Sequence, residues 1–197
     1  MQNSLDFLYS RLERYLKQVG MVYKKGEFEK ITFSKGYYWS AVKELQDSEK
    51  LFLKNIPGIK KSLLISLGEE KSAKRKSFTL HLLGWSRDYI VIPKVLTSYF
   101  KDRNISVANA AARAFFPMFA SGKTNLPLEK VLKLLGRRNK YLKNKALGIL
   151  AFSNRNDLLR IKKTVRLSYL KHLLDSGEPM ISEPAKLLFQ KISRIRS

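Results

Sequence analysis

The sequence predicts an all-α fold of repeated helical hairpins, and three observations predict it. Apolar residues recur at three- and four-residue steps along most of the chain, similar segments return at a fixed interval, and polar turns separate the amphipathic stretches. With 197 residues, 44% of them hydrophobic and 11% aromatic, the chain can form one ordinary core or a close-packed pair of domains.

The first helix is expected from Asn3 or Ser4, both N-cap residue types, with Leu5, Leu8, Leu12, Tyr15, Leu16 and Val19 on one face and Gly20 as its stop. Residues 21–36 fit neither period, and a short helix and an irregular hairpin remain open there. A second helix is expected from Tyr38 to Lys54, carrying Trp39, Val42, Leu45, Leu51 and Leu53. Pro57-Gly58 then marks a change of pattern. Residues 1–56 read as an N-terminal helical cap and residues 57–197 as a repeat region, packed as one continuous domain.

Four similar segments begin at Ala73, Val107, Leu142 and Ile181, so the spacings are 34, 35 and 39 residues. Each follows another amphipathic stretch, the four containing Leu63-Leu64-Ile65, Val95-Leu96, Val131-Leu132 and Leu167–Leu174, and each of these ends in a polar turn. Two helices in every 35–40 residues form the pattern of an α-solenoid, because one hairpin cannot bury its apolar face without a neighbour.

Here the sequence resembles the HEAT repeat family. The second segment fits its inner-helix pattern through Val107, Ala111, Ala112, Ala114, Phe115 and Met118, and the third through Leu142, Lys143, Ala146, Ile149 and Leu150. The first lacks the alanine pair, and the fourth carries Pro184, which a helix tolerates in its first turn. The resemblance covers residues 57–193 and implies a superhelix of about four hairpins; a plain four-helix bundle is the competing arrangement. It implies little about function, since such repeats serve unrelated partners.

Catalytic chemistry has few candidates. There is no cysteine, hence no disulfide, thiolate site or cysteine nucleophile. Both histidines, His81 and His172, are followed by leucine, so the His-Glu ligand pair of the HEAT-like metal hydroxylases is missing, and no metal site or cofactor is assigned. Gly122-Lys123-Thr124 lacks the upstream glycine of a phosphate loop and reads as a turn. Gly84-Trp85-Ser86-Arg87-Asp88-Tyr89 combines an aromatic, a base and a carboxylate. Through Trp85 and Asp88 the chain faintly resembles the HEAT-like alkylpurine DNA glycosylases, without reproducing their tryptophan-aspartate motif. The favoured reading is an inter-repeat turn in which Trp85 packs and Asp88 caps the next helix. No catalytic residue and no small-molecule substrate is assigned.

Charge carries the functional expectation. Lysine and arginine total 39 against 16 acids, a net +23. Residues 1–50 contribute only +2 of this and residues 51–197 the other +21. Such a field attracts polyanions. No apolar run is long enough for a membrane span, and the N-terminus has neither signal- nor transit-peptide character, so the expected location is cytoplasmic. If the four segments are inner helices, Lys74, Lys76, Arg113, Lys143 and Lys145 point into a concave groove. Arg103, Arg137, Arg138 and Lys140 join them from adjacent turns, and Arg160, Lys162, Lys163 and Arg166 follow one helix later. A row of cations suits a phosphate backbone, which it positions without reading sequence. The expectation is a non-enzymatic scaffold for DNA or RNA; the alternatives are a glycosylase relative and a scaffold for an acidic protein.

Overall fold

The structure is a computed structural model that describes residues 2–25, 31–32 and 39–195. The described chain is helical apart from β1 (Ile31–Thr32) and β2 (Trp39–Ser40), an antiparallel pair in which Ile31 faces Ser40 and Thr32 faces Trp39. Within residues 21–36, where the sequence leaves both a short helix and an irregular hairpin open, residues 21–24 continue the first helix and Ile31–Thr32 form one arm of this antiparallel pair; residues 26–30 and 33–36 lie outside the described residues.

α1 (Gln2–Lys24) runs through Gly20. The expected stop is overridden because the buried stripe of Leu5, Leu8, Leu12, Tyr15 and Val19 continues to Val22 at the same three- and four-residue steps. α2 (Lys43–Glu69) likewise runs through Pro57 and Gly58, so the limit at residue 57 falls inside an unbroken helix. Leu45, Phe52, Ile56, Leu63 and Leu67 form one buried face on both sides of the proline, while Pro57 itself is exposed. Packing on that face offsets the roughly 3 kcal/mol cost of an interior proline. Glu49, fully buried on α2, accepts from Tyr15 Oη at 3.0 Å and Ser40 N at 2.9 Å and so ties α1, β2 and α2 together. Burial raises its carboxyl above the ordinary range.

The repeat region follows as α3 (Ala73–Leu83), α4 (Val91–Ser98) with a 3-10 turn at Tyr99–Lys101, α5 (Ile105–Ala120), α6 (Leu128–Leu135), α7 (Lys140–Ala151), α8 (Arg155–Thr164), α9 (Leu167–Leu174) and α10 (Pro179–Arg194). Ser72, Asn104, Asn139 and Asn154 cap α3, α5, α7 and α8 with their side chains, each cap worth about 1 kcal/mol. α8 is the extra element that stretches the last interval to 39 residues. α2 pairs with α3, α4 with α5, α6 with α7 and α9 with α10, while α3 packs on α5, α5 on α7 and α7 on α10.

Small residues permit this approach. Ala108, Ala111, Ala112 and Ala146 are fully buried. At the end of α3 a Cβ on Gly84 would stand 3.2 Å from the Ala114 Cβ, so only glycine fits unstrained. Pro184 does not lie in the first turn of α10, because the helix already starts at Pro179. The carbonyl it leaves without a donor, that of Met180, is satisfied instead by Asn144 Nδ2 of α7 at 2.5 Å. One hydrophobic core runs from Leu5 to Ile192.

Candidate nucleic-acid interface

With α3, α5 and α7 side by side, their uncovered positions align in rows. Asn109, Arg113 and Phe116 are the half-buried residues in the middle of α5, and spacings of four and three place them on one face. By the same spacing Tyr141, Lys145 and Gly148 share a face of α7, with Phe152 next in line at its C-cap. The rows meet in two places. Beside His81 of α3 the charges of Arg113 and then Lys145 disfavour a proton on the histidine, and the charge of Arg113 disfavours one on Lys145. About one turn further along, Phe116 lies 3.8 Å from where a Gly148 Cβ would stand and meets the Phe152 ring edge-on, centroids 5.3 Å apart at 84°. Lys191 of α10 holds its Nζ 5.6 Å from the Phe152 centroid while donating to the Ala151 carbonyl at 2.6 Å.

The electrostatics of the first meeting point follow from crowding. His81, Arg113 and Lys145 each keep some exposed surface, yet protein surrounds His81 and Lys145 on most sides. Burial lowers His81 to about 3, with Arg113 and then Lys145 adding to the effect, so it is neutral at pH 7. Burial lowers Lys145 to about 8, with Arg113 reinforcing it. Lys145 is thus incompletely hydrated and feels the charge of a second cation.

Several of the other cations expected in the groove have partners of their own. Lys74 pairs with Glu13 of α1 at 3.1 Å, and the neighbouring Arg75 pairs with Asp6 at 2.9 Å, so α1 brings carboxylates to the start of α3. Lys76 stands two residues from Lys74, about 200° round the helix, and Lys143 stands as far round α7 from Lys145. Neither pair can share a face. Arg137 braces two turns, its Nη1 donating to the carbonyls of Asp102 at 2.7 Å and Phe100 at 3.3 Å. Lys140 pairs with Glu178 at 3.2 Å. Arg103, Arg138 and Arg166 are exposed, in two turns and at the start of α9. Phe116, Tyr141, Phe152 and Lys191 join Arg113 and Lys145 without having been picked out in the sequence. Extending the helical period from Lys145 reaches Tyr141 and Phe152, but only packing identifies Phe116 and Lys191.

Trp85 is 4% exposed, its ring against Tyr15 and Phe52 with centroids at 6.0 and 5.5 Å. The cavity of about 20 Å³ beside it, lined by residues including Leu12, Tyr15, His81 and Arg113, has room for a water and not for a nucleobase. Asp88 Oδ1 accepts from the backbone N–H groups of Ile90 and Val91 at 3.1 and 2.8 Å, and its Oδ2 accepts from Lys60 at 2.5 Å. Those bonds hold its carboxyl below the ordinary range, Lys60 contributing most. Both residues therefore serve the turn between α3 and α4. Gly122 takes φ 72° in a turn, and Lys123 Nζ stands over the Tyr89 ring at 4.6 Å. Among the described residues no group of three or more histidines or carboxylates could hold a metal, and no helix is long and apolar enough to cross a membrane.

Comparison with protein-family models, curated proteins and solved structures returns no match for this chain.

Proposed function

We propose that this protein is a HEAT-like α-solenoid scaffold that binds nucleic acid through its phosphate backbone, without catalysis, on the face shared by α5 and α7. The solenoid reading rests on packing order: the second helix of each pair contacts the second helix of the next, α3 to α5 to α7 to α10. The functional reading rests on one observation, the juxtaposition of Arg113 and Lys145. A buried lysine beside a second cation is stabilised in its charged form by a nearby anion, and a phosphate supplies that charge. The net +21 of residues 51–197 draws a polyanion towards them. Trp85 and Asp88 are engaged in packing and capping, which favours binding over base excision.

The test is the salt dependence of binding to mixed-sequence duplex. Wild-type affinity falls steeply with salt, because each neutralised phosphate releases condensed counterions. Replacing Arg113 and Lys145 together by glutamine flattens the plot of log affinity against log salt by up to about two units and weakens all sequences alike. Replacing Lys17 and Lys24, exposed on α1, is the matched control and changes the slope less. Equal losses from both double variants would mean diffuse attraction with no defined face. No binding by wild type even at low salt would transfer the basic face to an acidic protein partner.

A further inference from the structure

The rows on α5 and α7 hold an aromatic contact as well as a cationic one, and the two are neighbours. Arg113 precedes Phe116 by three residues, so their side chains stand about 5–6 Å apart along α5. On α7 the order is Tyr141, Lys145, Gly148, Phe152, an aromatic ring on each side of the cation and a residue without a side chain between Lys145 and Phe152. Tyr141 is 50% exposed and Phe152 42% exposed. Single exposed apolar residues are common on protein surfaces. Phe152 differs because it is held in place: Phe116 packs edge-on against it, and Lys191 Nζ lies 5.6 Å from its centroid, fixed by its bond to the Ala151 carbonyl. An exposed ring packed against neighbours, near the pair proposed above to bind phosphate, has the two parts that unpaired nucleic acid needs, a cationic track for the backbone and a flat surface for the base. Duplex offers the same backbone charge, but its base faces are stacked on each other and cannot use the ring.

Resting on the nucleic-acid reading above, we propose that Phe152, braced by Phe116, is a stacking platform for an unpaired base, making single-stranded or locally unpaired nucleic acid the ligand preferred at the Arg113–Lys145 face. Tyr141 offers a second ring on the opposite side of Lys145.

Three labelled probes test this by fluorescence anisotropy: a mixed-sequence single strand, a sugar-phosphate strand of equal length lacking bases, and a duplex. Wild type binds the base-bearing strand more tightly than the abasic strand. Phe152→Ala weakens binding of the base-bearing strand by roughly five- to a hundredfold, the worth of one base–aromatic stack, and leaves abasic strand, duplex and salt slope as in wild type. Phe152→Trp restores the affinity. Phe152→Leu keeps an apolar side chain at the C-cap and guards against a folding defect, yet it stays weak on the base-bearing strand. Equal wild-type affinity for base-bearing and abasic strands, or equal loss by Phe152→Ala on all three probes, overturns the stacking platform while the phosphate-binding function stands. A wild type that binds none of the three probes overturns both.

Discussion

His81 lies among Leu80, Leu82 and Leu83 in sequence, and the charges that act on it, Arg113 and Lys145, come from α5 and α7. Its folded value near 3 is well below the ordinary 6.5, so the neutral form is the one the fold favours. A group depressed in the folded state contributes stability that is present above its unfolded value and lost as pH falls through the folded one. The thermal midpoint should therefore decline between about pH 6.5 and 3, and His81→Gln should make that decline shallower while running parallel to wild type above pH 6.5. A pH profile unchanged by the substitution would show that His81 charges freely. Gly84 is a steric counterpart. Its φ is ordinary for any residue, but Gly84→Ala would press a methyl group against Ala114 and the His81 carbonyl, and overpacking of this kind costs roughly 1–3 kcal/mol in thermal or urea unfolding.

At the scale of the element, the helices were legible and their ends were not. Apolar periodicity located most of the helices because a buried stripe must recur at helical steps wherever it occurs. The ends failed at Gly20 and Pro57, where local preference says stop and the chain continues, and at Pro184, which was expected in a first turn and lies beyond it. In each case a buried face extends past the breaker, and burial of large side chains outweighs a local cost of about 1–3 kcal/mol. Pro184 adds a second compensation, the Asn144 amide on the Met180 carbonyl. Asn144→Ala should cost about 1 kcal/mol by urea unfolding. In a Pro184→Ala background the restored N–H of residue 184 reaches that carbonyl, so the same substitution should cost less. A double-mutant cycle measures the difference, and strict additivity would mean that the amide does not replace the missing donor.

For the whole molecule, the excess charge and the packing of α5 on α7 combine in Lys145. With a value near 8 in the free protein, Lys145 loses its charge as pH rises through that value, whereas a bound phosphate favours the protonated form. Binding therefore takes up a proton above about pH 8, and affinity should fall between pH 7.5 and 9. Lys145→Arg, charged throughout that range, should bind with little pH dependence. An equal decline in both proteins would place the titrating group elsewhere.

The sequence by itself determined that this protein is helical, where most of its helices lie, and that its positive charge is concentrated after residue 50. Those properties follow from composition and from the 3.6-residue period, which act along the chain and need no knowledge of what packs against it. Only the tertiary structure decided which cations belong together. Lys74, Arg137 and Lys140 looked equivalent to Arg113 and Lys145 as basic residues at repeated offsets, yet packing gives the first a carboxylate of α1, the second two carbonyls and the third Glu178. Arg113 is drawn to Lys145 across 32 residues, and Phe116 to Phe152 across 36, because α5 lies on α7. A one-dimensional pattern fixes which side of a helix a residue occupies; which neighbour covers that side is set by the helix that packs there.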